Sequence, residues 1–103
     1  MTGALLMFWN EIRDWLNNTA ANAVESVLGY NARKGMQKAI CVVDRVVNTV
    51  RNRAVIYTKK ERLSTYMDKV TIEAKASVYE IDEEVLKEIR EKGKLEQELQ
   101  FRG

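Results

Sequence analysis

Residues 36–57 read MQKAICVVDRVVNTVRNRAVIY, and this stretch decides the fold class. Its apolar residues recur alternately four and three positions apart, at Met36, Ile40, Val43, Val47, Val50, Ala54 and Tyr57. That spacing is typical of a helix whose apolar stripe is covered by another helix. The many β-branched residues of the stretch also suit strands. We favour a helix, because the seven positions match helical spacing better than strict alternation.

The chain after residue 57 supports two interpretations. A second apolar stripe starts one position out of phase at Leu63, so the polar run 58–62 marks a turn or a register shift. Residues 32–80 would then form one long helix or a helical hairpin. Residues 70–79, however, also alternate strictly between apolar and polar side chains, which is typical of a strand.

Helices are also predicted at the two ends of the chain. Apolar residues recur at helical spacing over 4–28, and a polar stretch at 17–19 weakens the middle of that helix. Asp82 can cap a helix over 83–92, and Gly93 suits its end. The last ten or so residues would be extended or docked on a partner.

These elements predict one all-α domain over residues 1–103, built as a small helical bundle. The alternative is an α+β fold with strands at 70–79 and 95–101. A hydrophobic content of 46% with 31% charged residues indicates a chain that folds. No apolar run approaches the roughly 20 residues of a membrane span, and no secretory signal pattern is present, so we expect a cytoplasmic protein.

The residue types argue against an enzyme. The chain has no His and a single Cys, Cys41, which lies between apolar neighbours. Without imidazole there is no usual general base, and one thiol cannot form a zinc site. We therefore predict no catalytic residues, no metal site and no cofactor.

Charge is unevenly distributed along the chain. Residues 31–62 hold nine basic and two acidic residues, whereas residues 63–103 hold seven basic and ten acidic ones. The first interpretation is that the acidic tail lies near the basic middle, within one chain or between chains. The second is a surface for nucleic acid, with these contact residues: Arg45, Arg51, Arg53, Lys59, Lys60 and Arg62.

The main functional hypothesis is a non-enzymatic subunit that self-associates, or docks in a larger assembly, through amphipathic helices. Its predicted interface comprises Phe8, Trp9, Ile12, Trp15, Met36, Ile40, Val43, Val47, Val50 and Tyr57. One alternative is a small nucleic-acid-binding accessory protein that uses the basic segment 31–62. Another is a small inhibitor or adaptor of a larger complex.

Overall fold

Helices cover one face of a four-stranded antiparallel sheet in the computed structural model, which describes residues 3–61, 63 and 65–101. The predicted helical bundle is therefore wrong, and the α+β alternative is right. In chain order the elements are α1 (Gly3–Trp15), a π-helical turn (Leu16–Ala20), α2 (Ala21–Leu28), α3 (Tyr30–Lys34), β1 (Met36–Val46), β2 (Thr49–Thr58), β3 (Asp68–Ser77), a 3-10 turn (Val78–Glu80), α4 (Glu83–Lys92) and β4 (Leu95–Gln100).

The N-terminal helix runs without a break through α1, the π-helical turn and α2, in agreement with the predicted helix over 4–28. The π-helical turn falls on the polar stretch that weakens its middle. There the Asn18 side chain donates a hydrogen bond to the Asp14 carbonyl oxygen at 2.8 Å. Such side-chain bonding to the backbone competes with regular helix geometry.

A β-hairpin replaces the long helix predicted from residue 32 onward. β1 and β2 pair in antiparallel register, and Val46 lies opposite Thr49 across a two-residue turn. Side chains alternate between the two faces, so Cys41 and Val43 are buried while Val42 between them is only partly covered. The β-branched content therefore prevails over the helical spacing in this stretch, because the branched side chains pack well on a pleated surface.

The remaining strands complete a sheet with the order β3-β2-β1-β4. β3 and β4 coincide closely with the alternative strands at 70–79 and 95–101. The helix predicted over 83–92 is present as α4, and the Asp82 Oδ1 accepts a hydrogen bond from the Glu84 backbone N–H at 2.9 Å. α4 carries the chain from the β3 side of the sheet to its opposite edge, where β4 pairs with β1.

The core lies between the helices and one face of the sheet. Its fully enclosed side chains include Leu16, Val24, Cys41, Val43, Ile56 and Val85. The opposite face of the sheet carries no described element. None of the helices in the described part of the chain combines the length and apolar character needed to cross a membrane.

Candidate nucleic-acid interface

The uncovered face of the sheet, here called the open face, combines a small apolar centre with charged surroundings. Ile40 and Val55 lie opposite each other on the two central strands, and both are half-buried although none of the described helices packs on this side. Val42 and Tyr57 extend this centre along the strands. Strand alternation places these residues together because every second side chain faces the same way.

One row across the open face brings an aromatic ring between two lysines. Tyr57 on β2 lies opposite Lys38 on β1 and opposite Lys69 on β3. The Lys38 Nζ lies 5.2 Å from the centroid of the Tyr57 ring, and the Lys69 Nζ lies 5.3 Å from it. Both distances are within the range of cation–π attraction. Lys38 also contacts the Glu98 carboxylate at 3.3 Å, so Lys69 is the less neutralised of the two.

Two more lysines continue the chain directly beyond this row. Lys59 and Lys60 follow the end of β2, and the Lys59 backbone N–H donates a hydrogen bond to the Gly35 carbonyl oxygen at 3.0 Å. The buried Thr58 hydroxyl donates a hydrogen bond to the Ala32 carbonyl oxygen. These bonds join the end of β2 to the segment around α3 and hold the backbone at Thr58 and Lys59.

The arginines predicted as contact residues are divided between different environments. Arg51 pairs with Asp44 through two hydrogen bonds, at 3.0 and 2.8 Å, and its Nε lies 3.7 Å from a Glu73 carboxylate oxygen. The hydrogen bond from Arg51 lowers the pKa of Asp44, and the nearby charges of Arg51 and Arg53 lower it further. Arg51 is therefore largely neutralised, whereas Arg53 is exposed on the open face.

Arg45, another predicted contact residue, does not join this group. Arg45 lies at the end of β1, where its Nε donates a hydrogen bond to the Val47 carbonyl oxygen at 2.8 Å, and it borders a surface cavity beside α4. Strand alternation from Val43 places it on the helix-covered side. Arg62 lies outside the described residues.

The predicted self-association interface is not one surface. Its members occupy three environments. The buried core holds Trp9, Ile12, Met36, Val43 and Val50, with Phe8 and Trp15 partly buried against it. Ile40 and Tyr57 lie on the open face, and Val47 is 79% exposed in the β1–β2 turn. Residues spaced four and three apart share one face of a helix, but on a strand they fall on both faces. The predicted interface residues are therefore divided between the two sides of the sheet.

Lys38 and Lys69 were missing from the predicted contact residues. In β3, every second residue from Lys69 onward is polar and lies on the open face, and Thr71 and Glu73 are the next two. The strand interpretation of residues 70–79 starts one residue after Lys69 and therefore did not include it. Neither lysine could be placed beside Tyr57 without the register of three strands.

The chemistry available elsewhere is limited. Burial raises the pKa of the Cys41 thiol to about 11, which disfavours the reactive thiolate. Across residues 3–61, 63 and 65–101, no group of three or more Cys, Asp or Glu side chains is placed to hold a metal ion.

No protein-family model, curated protein or solved structure matches this chain.

Proposed function

We propose that this protein binds single-stranded nucleic acid on the open face of its sheet. The observation that carries the proposal is the Tyr57 ring held between the ammonium groups of Lys38 and Lys69. Proteins that bind single strands combine aromatic rings on which bases stack with cations that contact the backbone phosphates. An open sheet face suits unpaired bases, because they can lie flat on it.

The distribution of charge favours one path across the face. Glu96 and Glu98 on β4 make that edge acidic, and Asp44 and Glu73 are paired with Arg51. On the open face and in the loop that follows β2, the cations that make no ion pair with a described residue are Arg53, Lys59, Lys60, Lys69 and Lys75. Lys75 lies farther along β3, opposite Arg51, so the four near Tyr57 are Arg53, Lys59, Lys60 and Lys69. A bound strand would therefore run from the lysines beyond β2, over Tyr57, toward Arg53.

A salt titration tests the electrostatic part of the proposal. If these four cations each neutralise one phosphate of a single strand, log K should fall against log salt concentration with a slope of about −3. The assay is fluorescence anisotropy of labelled oligothymidine and oligouridine of about 12 nucleotides, a length within the usual site sizes. The same sequences annealed into duplexes should bind more weakly, because their bases cannot stack on Tyr57.

Variants separate stacking from charge. Tyr57→Leu keeps an apolar side chain on the strand and should weaken binding about 5- to 100-fold, the range for one lost base–aromatic stack. Lys69→Glu should weaken binding and flatten the salt slope. The matched control is Lys87→Glu, which makes the same charge change at an exposed position on α4.

Two results would contradict the proposal. One is the absence of binding by the wild-type protein at low salt. The other is equal affinity of the Lys69→Glu and Lys87→Glu variants, since it would mean that only net charge matters. Self-association, the first functional hypothesis from the sequence, stays a prediction, and its proposed helical interface does not exist.

A further inference from the structure

A cleft opens on the helix-covered side of the sheet, opposite the nucleic-acid interface. Phe8 and Trp15 of α1 form one wall, and Ala74 and Ala76 of β3 lie across from them. The cleft measures about 250 Å³. It exists because the two alanines are small and because the helices pack mainly over the other strands of the sheet. Its lining is mostly apolar.

Three polar residues also border the cleft, Glu11, Asn52 and Lys75, and of these only Asn52 is buried. It lies on β2 between Val43 and Ala74, and only 8% of it is exposed. Its side-chain oxygen is buried and accepts no hydrogen bond from any described residue. Buried polar atoms nearly always have a partner, and one that lacks it destabilises the fold. A buried acceptor of this kind calls for an explanation, and a bound molecule that supplies the missing donor is one.

We infer that this cleft binds a small ring compound that is mostly apolar and carries one N–H or O–H donor for the Asn52 carboxamide. Small-molecule sites usually combine apolar and aromatic walls with a few polar groups that orient the ligand. A cavity of about 150 Å³ already takes a benzene molecule. The larger cleft therefore has room for a compound of one or two rings, on which Trp15 and Phe8 can pack.

The class of ligand follows from the side-chain oxygen of Asn52, because this oxygen is the atom that is buried without a partner. An unpartnered oxygen calls for a donor, and the carboxamide can turn about its last side-chain bond to meet it. A ligand without a donor would leave the Asn52 oxygen without a hydrogen bond. The cleft and the open face lie on opposite sides of the sheet, so this inference does not depend on the proposed nucleic-acid binding.

Three probes of nearly the same shape test the inference on the full chain. Indole offers an N–H donor, indene offers no hydrogen-bonding group, and 1-indanone offers only an acceptor. Each is titrated into ¹⁵N-labelled protein, and the signals of the Trp15 indole N–H, the Asn52 carboxamide and the Ala74 amide are followed. We expect saturable shifts, with indole bound about 3- to 10-fold more tightly than indene, as one net hydrogen bond implies. The affinity for 1-indanone should not exceed that for indene.

Variants locate the binding. Asn52→Leu should abolish the preference for indole over indene while keeping an apolar cleft. Ala74→Met should fill the cleft and weaken all three probes at least about tenfold. The control is Thr71→Met, which adds a similar side chain to the same strand on the opposite face and should leave binding unchanged.

Several outcomes would overturn the inference. They are the absence of saturable shifts with any probe, equal affinities of the wild-type protein for indole and indene, and tighter binding of 1-indanone than of indole. The comparison of probes on the wild-type protein needs no variant to fold. None of these outcomes bears on binding of oligonucleotides, so the two proposals fail separately.

Discussion

Replacing Gly35 by alanine should destabilise the protein severely, although Gly35 lies in a short connection between α3 and β1. A Cβ added there would lie 1.7 Å from the Lys59 carbonyl oxygen and 2.8 Å from the Lys59 carbonyl carbon. Both atoms belong to the backbone, which cannot rotate away as a flexible side chain could. The chain after β2 would have to move well over 1 Å to restore normal contact.

The magnitude follows from two contributions. Overpacking of this kind costs about 1–3 kcal/mol. The displacement would also break the hydrogen bond from the Lys59 N–H to the Gly35 carbonyl oxygen, at a further cost of about 1 kcal/mol. Together these predict a loss of about 2–4 kcal/mol in the free energy of unfolding. For a chain of this size the melting temperature should fall by about 10–25 °C.

Urea unfolding followed by tryptophan fluorescence measures this loss. The matched control is Gly3→Ala, because a Cβ at Gly3 meets no atom within 4 Å and alanine favours the helix that begins there. Its free energy of unfolding should stay the same or rise by up to about 1 kcal/mol. A Gly35→Ala variant within about 0.5 kcal/mol of wild type, the usual range for surface substitutions, would refute the packing of α3 against the end of β2.

Three further predictions concern single residues. Val47 has φ 57° and is 79% exposed, and a β-branched residue is strained in that conformation. Val47→Gly should therefore raise the free energy of unfolding by about 0.5–1 kcal/mol in urea titrations, and a decrease would contradict the turn geometry. Cys41 should react with Ellman's reagent at pH 8 at least about 100-fold more slowly in the folded protein than in urea, because burial raises its pKa; similar rates in both states would show that it is accessible. The pKa of Asp44 is lowered by its hydrogen bond from Arg51, so its contribution to stability is present above the unfolded pKa of about 3.9 and disappears as the pH falls through the folded pKa. The stability difference between wild type and Asp44→Asn should accordingly shrink from about pH 5 downward, and a difference independent of pH would rule out this ion pair.

Both terminal helices could be predicted from the sequence because local signals determine them. The Asp82 cap, the acidic first turn and Gly93 define α4 without reference to the rest of the chain. The central hairpin could not be predicted in the same way. Residues 36–57 match a helical repeat by spacing and a strand by β-branching, and only pairing with β3 and β4 decides between them.

The sequence alone also could not predict which residues lie together on the open face. Tyr57 was assigned to a helical interface with Val50, yet the two residues face opposite sides of the sheet. Lys38 and Lys69 reach Tyr57 from strands that are distant in sequence. The unpartnered oxygen of Asn52 depends on packing that periodicity does not describe.

The uneven charge of the chain finds a physical explanation in the sheet. The basic middle forms the two central strands, and the acidic tail supplies partners on both sides of it, as in the contacts of Lys38 with Glu98 and of Arg51 with Glu73. This agrees with the first interpretation of the charge pattern, complementarity within one chain.

The acidic residues do not pair with every cation, however. On and beside the open face, Arg53, Lys59, Lys60, Lys69 and Lys75 remain without an ion pair among the described residues, and the first four lie near Tyr57. A fold that needed only internal pairing would gain nothing from grouping its surplus charge there, since like charges repel. That grouping is the physical reason to test the Tyr57 row, rather than the net charge, for binding to nucleic acid.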